Sequence, residues 1–397
     1  MRGESIRHRL RWGIALAIAA IPAAPLTANA DAASPGRPFG VVLERQLHGD
    51  LVVAANSNLR SAGGWSTAPG TVGDIDGDTS VMCVRRDGTS RVCADNSSSA
   101  RLDLPPGSRV VHARLYVETT LSAGAGPLSV RLVAPLAQTL LGDETAGAPR
   151  VGEDSLAVSA RGVLRQSIWD VTGLVAANGA GYYTVADIVA ERAGPFMPHA
   201  SWAIVAAYEV DPAIDVSGLA PDIRERFARR VVAWHDGFVL LAAGAAAEPV
   251  AELAVAPGAA QYAKSAHIAA AARHGNADNL LFNGQPLGNN VTPGDRPPPP
   301  WVVVGDDEDC NSTTDTFNET ICMLGAPVDT RDPGPADYLA SSDGATPTSG
   351  SAVDIDVMRI PDRYLVAGAP SAVLSASAGH NPVALGMLAI SADLAAP

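Results

Sequence analysis

Hydrophobic positions recur with period two along most of this chain. Val111, Ala113, Leu115 and Val117 alternate with His112, Arg114, Tyr116 and Glu118. Leu128, Val130 and Leu132 continue the pattern, and Val353, Ile355 and Val357 lie opposite Asp354, Asp356 and Met358. Successive side chains of a strand point to opposite faces, so each run predicts an antiparallel strand with one buried face. Ala200 to Val210 is apolar on both faces and predicts a central strand; Trp301 to Val304 reads similarly. Turn chemistry separates such runs at Pro105-Pro106-Gly107, Gly124-Ala125-Gly126-Pro127 and Asn283-Gly284. Short strands at this spacing predict an all-β chain of tandem antiparallel β-sandwiches, jelly-roll or Ig-like, with few short helices.

Two segments depart from that pattern. Pro221 to Arg230 has Pro near its start, and Ala266 to His274 is alanine-rich and ends before Gly275, so both predict short helices. The expected division is residues 31–215 for a first sandwich and 216–397 for a second. A Pro-rich and acidic loop over 293–350 belongs to the second. The 38 glycines and 30 prolines among 397 residues fit a turn-rich chain without collagen periodicity.

Residues 1–30 predict a secretory signal peptide. Arg2, Arg7, Arg9 and Arg11 precede an apolar run from Trp12 to Ala24, and Ala28-Asn29-Ala30 offers a cleavage site before Asp31. The apolar run is too short to span about 30 Å of hydrocarbon. No later stretch is long and apolar enough either, and the last residues resemble neither an anchor nor a sorting signal, so the expectation is a secreted, extracellular protein without a membrane span. The net charge of −14 repels phosphate backbones and argues against a nucleic-acid partner.

Export brings the four cysteines into an oxidising compartment. Cys83 with Cys93, and Cys310 with Cys322, each close a short polar loop, and these two local disulfides are expected. A four-thiolate metal site fits poorly, because the separations lack C-x-x-C knuckles.

The order of several short strings resembles a family of uncharacterised secreted bacterial proteins. Asp74-Ile75-Asp76-Gly77-Asp78, Asn96-Ser97-Ser98-Ser99-Ala100 and Leu102-Asp103-Leu104-Pro105-Pro106-Gly107 are similar to its opening block. Trp169-Asp170-Val171-Thr172, Gly181-Tyr182-Tyr183, Trp202 to Glu209, Asp236-Gly237-Phe238 and Leu281-Phe282-Asn283-Gly284 resemble later ones. Members often form the N-terminal region of long cell-surface, adhesin-like proteins with Ig-like repeats, and none carries an established catalytic site. The resemblance therefore implies a structural or adhesive module. This chain departs from it by inserting the loop between Cys83 and Cys93.

Catalytic signatures such as G-x-S-x-G, H-E-x-x-H and the P-loop are missing from the sequence. His235 and Asp236 are adjacent, hence on opposite faces of a strand, and are read as a strand end entering a turn at Gly237. His267 and His274 would share a helix face, as a surface pair. Asp74, Asp76 and Asp78 around Gly77 are a candidate calcium site, calcium being the one cofactor considered; an acidic turn accounts for the same spacing. Asp306, Asp307 and Asp309 are a weaker candidate of the same kind. Lys264, the single lysine, raises a covalent cross-link to Asn or Asp, although its neighbours do not form a clear core strand.

The function expected is a non-catalytic, secreted structural or adhesive module that binds an extracellular or cell-surface ligand. The contact loops expected are Asn56 to Thr67 and Glu308 to Ala345. The alternative is a secreted hydrolase acting on polysaccharide, which needs paired carboxylates about 5–10 Å apart in a cleft.

Overall fold

The computed structural model describes residues 36–61, 72–74, 83–86, 90–93, 96–142, 145–157, 162–190, 200–214, 217–218, 224–245, 248–253, 262–270, 278–288, 321–324, 326–327, 353–365, 372–380 and 382–394. In chain order the first strands are β1 (Arg37–Ser57), β2 (Leu59–Ser61), β3 (Val72–Asp74), β4 (Cys83–Arg86), β5 (Ser90–Cys93), β6 (Ser97–Leu102), β7 (Arg109–Ser122) and β8 (Val130–Ala134). Then come β9 (Ala137–Leu141), β10 (Arg150–Ala157), β11 (Gly162–Asp170), the helix α1 (Thr172–Asn178), β12 (Gly181–Ala186) and β13 (Ala200–Glu209). After it follow β14 (Arg229–Leu241), β15 (Glu248–Leu253), β16 (Ala263–Ala270), β17 (Asn279–Phe282) and β18 (Gln285–Pro286). The last are β19 (Ile321–Met323), β20 (Ala326–Pro327), β21 (Val353–Arg359), β22 (Ala372–Ser377) and β23 (Val383–Asp393).

The chain is mostly β with few helices, and its sheets are open, not closed barrels. Among the described residues no helix is long and apolar enough to cross a membrane.

Strand β1, 21 residues long, organises the rest. Its first half pairs antiparallel with β14 and its second half with β13. The change of partner falls at Gly49, where an added Cβ would overlap the Tyr208 carbonyl oxygen, so only glycine allows the approach. Around β1 the strands run β10-β11-β7-β13-β1-β14-β23-β16-β21-β19-β20. One wing is thus β10 to β13 and the other β14 to β20.

The two wings fold face to face. Tyr116, Ile168, Ala203, Val205 and Ala207 of the first share a buried cluster with Val232, Trp234, Ile268, Ile355 and Met387 of the second. The opposite face of the first wing carries Leu115, Val117, Trp169, Trp202, Ile204 and Tyr208, which pack on the four-stranded sheet β6-β12-β8-β9. The opposite face of the second carries Val231, Leu385, Leu388 and Ile390, which pack on β15-β22-β17-β18. Sheets are therefore stacked four deep, and both faces of each wing are covered.

This stacking explains where the sequence pattern misleads. On β7 the apolar side chains of Ala113, Leu115 and Val117 face one core as expected, while Tyr116 and Glu118 opposite them are also buried. A register shift between Ala207 and Tyr208 on the partner strand leaves Val111 out of line with Ala113. The helix expected over Ala266 to His274 is strand as far as Ala270, the residues after it lying outside the described ones: β16 lies between β23 and β21, and its alanines fit the closely stacked interior, overriding their helix propensity. Of 221–230, Arg224 and Glu225 make a single helical turn and Arg229 already begins β14; 221–223 lie outside the described residues. β14 also runs on through Gly237, with a bulge between Asp236 and Val239, instead of ending there. Asn56, Ser57 and Asn58, expected in an exposed loop, are buried at the end of β1, where Asn56 Nδ2 donates to Ser99 O (2.7 Å).

Candidate functional site

Among the described residues, several polar constellations lie between the stacked sheets. The first centres on Asp236 of β14, which is buried. Arg37 Nη1 donates to its Oδ1 (2.7 Å), Arg114 Nη1 donates to its Oδ2, and Tyr116 OH donates to the same oxygen (3.2 Å). Trp234 Nε1 donates to Tyr116 OH (3.0 Å), and Arg37 Nε reaches Asp154 (2.8 Å). The His112 ring lies against Trp234, centroids 5.4 Å apart, and burial lowers its pKa. Arginines from β1 and β7 thus meet one carboxylate from β14.

The second joins Asp50 to Lys264. Lys264 Nζ lies 2.8 Å from Asp50 Oδ2 and donates to Leu51 O (2.6 Å). Arg230 Nη1 donates to Asp50 Oδ2 (3.1 Å), its Nε to Asp393 (2.8 Å), and its Nη2 to Glu225 O (2.7 Å). Burial pulls the Lys264 ammonium below its ordinary pKa against the charge of Asp50. Burial alone would raise Asp50, but the charges of Lys264 and Arg230 hold it low. Lys264 therefore sits on a core strand after all.

The third is Glu118 with Gln166. Burial pushes the Glu118 carboxyl up to about 8, opposed by the hydrogen bond from Gln166.

The fourth is His267 with Asp354 and Asp356, all fully buried. Register alone assembles it: His267 on β16 faces Asp356 on β21, and Asp354 is two residues back on the same side. His267 Nε2 lies 2.6 Å from Asp354 Oδ1 and 3.3 Å from Asp356 Oδ2. Asp356 Oδ1 accepts the Cys322 backbone N–H (2.7 Å), which ties β19 to the group. Burial opposes a charge on His267, yet its two carboxylate partners raise it to about 9. Burial, with Asp354 alongside, holds Asp356 well above the usual carboxylate range. One nitrogen and two oxygens within 4.8 Å of one another make a set able to hold a metal ion.

The sequence pointed elsewhere for metal. Asp74 ends β3, opposite Leu59, while Asp76, Asp78, Asp306, Asp307 and Asp309 lie outside the described residues, as do Ala30 and Asp31 of the cleavage site. His267 is brought to Asp354 and Asp356, whereas His274 lies outside the described residues. The usable signal was the D-x-D spacing within Val353 to Val357, which puts two carboxylates on one strand face. Cys83 and Cys93 are direct cross-strand partners in the β4–β5 hairpin. Cys322 is buried and carries no free thiol, and Cys310 lies outside the described residues.

Comparison of the chain with protein-family models, with curated proteins and with solved structures returned no match.

Proposed function

We propose that the chain is a secreted, non-catalytic structural or adhesive module, built as tandem sandwiches fused through β1, that presents a rigid surface to an extracellular ligand. The observation that carries this reading is the use made of its buried charges. Asp236 is gripped by Arg37 and Arg114, and Asp50 by Lys264 and Arg230, so each carboxylate ties together strands distant in sequence. Buried ion pairs are weak evidence of net stability, and here we read them as fixing one arrangement of strands. The likeness of the D-x-D-G-D and N-S-S-S-A strings to secreted surface proteins, and the leader-like residues 1–30, agree with this reading. Leu136 and Leu140 on the β8–β9 hairpin are strongly exposed and supply apolar contact area at one sheet edge.

The test is a binding screen of the chain from Asp31 against glycans and extracellular surface proteins, run beside a general hydrolase panel. Saturable binding without turnover is expected. Turnover abolished by one Asp→Asn change would replace the proposal with the polysaccharide-hydrolase reading.

A further inference from the structure

We propose that His267, Asp354 and Asp356 form a binding site for one first-row divalent transition ion, with Zn2+ as the reference ion. The donor set comes first. An imidazole nitrogen with two carboxylate oxygens suits zinc, manganese or cobalt, whereas calcium and magnesium take oxygen ligands almost entirely. The spacing comes second. Such ions bind nitrogen and oxygen at about 2.0–2.2 Å, which places neighbouring donors about 3 Å apart. The two separations from Nε2, 2.6 and 3.3 Å, bracket that value, and all three residues offer donor atoms within 4.8 Å of one another.

Charge is the third argument. A neutral imidazole, two carboxylates and a divalent cation sum to zero, the condition a dry interior tolerates. The fourth is the state of Asp356. Its Oδ1 is oriented by the Cys322 N–H, as outer hydrogen bonds orient metal-binding carboxylates. Its Oδ2 is buried and faces His267 Nε2 at 3.3 Å, on the same side as Asp354. Three protein donors leave at least one coordination position for a further group, and Cys322, having no free thiol, does not supply a thiolate.

The competing account is an ion-free clasp in which a protonated His267 bridges the two carboxylates. The chain from Asp31, made without a polyhistidine tag, separates the two. After long dialysis against EDTA it is titrated with Zn2+, with Co2+ as a visible-absorption probe and Ca2+ as a comparator. The expected result is one tightly held Zn2+ per chain, a raised Tm, and a Co2+ band typical of nitrogen and oxygen ligands. Asp356→Asn should weaken Zn2+ binding by more than tenfold, and Asp354→Asn provides a second variant should the first not fold. A folded wild-type chain that takes up no Zn2+ and gives no Co2+ band overturns the site without need of any variant. So does equal Zn2+ affinity in a folded Asp356→Asn chain. A Tm raised by Ca2+ alone also overturns it and moves the cation to the acidic turn at Asp74, Asp76 and Asp78.

Discussion

Gln166 Nε2 donates a hydrogen bond to Glu118 Oε1 at 2.8 Å directly against Gly386, where the two wings meet. A Cβ at Gly386 would overlap both side-chain atoms, so the absence of a side chain on β23 makes room for a carboxyl and an amide from β7 and β11. Glu118 Oε2 and Gln166 Oε1 find no hydrogen-bond partner in this interlayer. A carboxyl so placed avoids carrying charge, which is why its pKa rises to about 8.

That shift sets a pH dependence whose sign is fixed. The folded chain holds the Glu118 proton up to about 8, whereas the unfolded chain releases it near the ordinary glutamate value of 4.5. Between those values the native state binds more protons, so the contribution to stability is full below 4.5 and is lost as pH rises through 8. The loss amounts to a few kcal/mol, at about 1.4 kcal/mol for each unit of pKa difference. Glu118→Gln keeps the shape and removes the titration. Denaturant unfolding at pH 5 and pH 8 should show a smaller pH-dependent loss in the variant than in wild type. Equal losses in the two chains would show that Glu118 is not held neutral.

Asp236 should cost far more to remove than Asp154, the other carboxylate that meets Arg37. Asp236→Ala leaves Arg114 without its partner carboxylate in the interlayer and leaves the Arg37 side chain only the backbone carbonyl of residue 236 on β14. Breaking a buried pair by deleting one partner costs about 3–5 kcal/mol, because the remaining charge is uncompensated. Asp154→Ala removes only the outer contact to the one-third-exposed Arg37 and should cost about 1 kcal/mol or less. Urea melts of the two variants decide it, and comparable losses would contradict the central place given to Asp236.

The strand character of β7, β8 and β21 was legible from alternation, and Ala200 to Val210 read correctly as a central strand. What the pattern could not reveal was the depth of stacking. A polar residue opposite an apolar one signals solvent when a sheet has one covered face, but here both faces are covered. Glu118, Asp354 and Asp356 therefore looked outward-facing, and Asp236 looked like the end of a strand, yet all four are buried. His267 was placed on a helix surface for a related reason, since its alanine-rich neighbours imitate a helix, and long-range pairing with β21 and β23 decides otherwise.

The lone lysine offers a readout of global unfolding. Lys264 is buried against Asp50 and the Leu51 carbonyl, so an amine-directed acylating reagent reaches it only when the interlayer opens. The folded chain from Asp31 should take one label, on its α-amino group, and the chain in denaturant should take two. Intact mass measurement counts them. Rapid double labelling under native conditions would show that the Asp50–Lys264–Arg230 group is open to solvent. A single label in denaturant, with the mass lower by one water, would instead reveal that Lys264 and Asp50 had condensed to an amide.

Cys83 and Cys93 occupy directly opposed positions of an antiparallel pair, where α-carbons stand about 4.5–5.5 Å apart, within the range a disulfide spans. The bond expected there closes the short β4–β5 hairpin, and the second expected bond joins Cys310 to Cys322 on β19. Each restricts the unfolded chain and should contribute about 2–4 kcal/mol. Peptide mapping without reduction should recover these two pairs and no free thiol. Reduction should lower the urea midpoint, and by less in Cys83→Ser/Cys93→Ser, which has one bond left to lose. A crossed peptide containing Cys83 and Cys322 would refute the local pairing. It would also mean that β19, and with it the Cys322 N–H that orients Asp356, is tied to the N-terminal half of the chain.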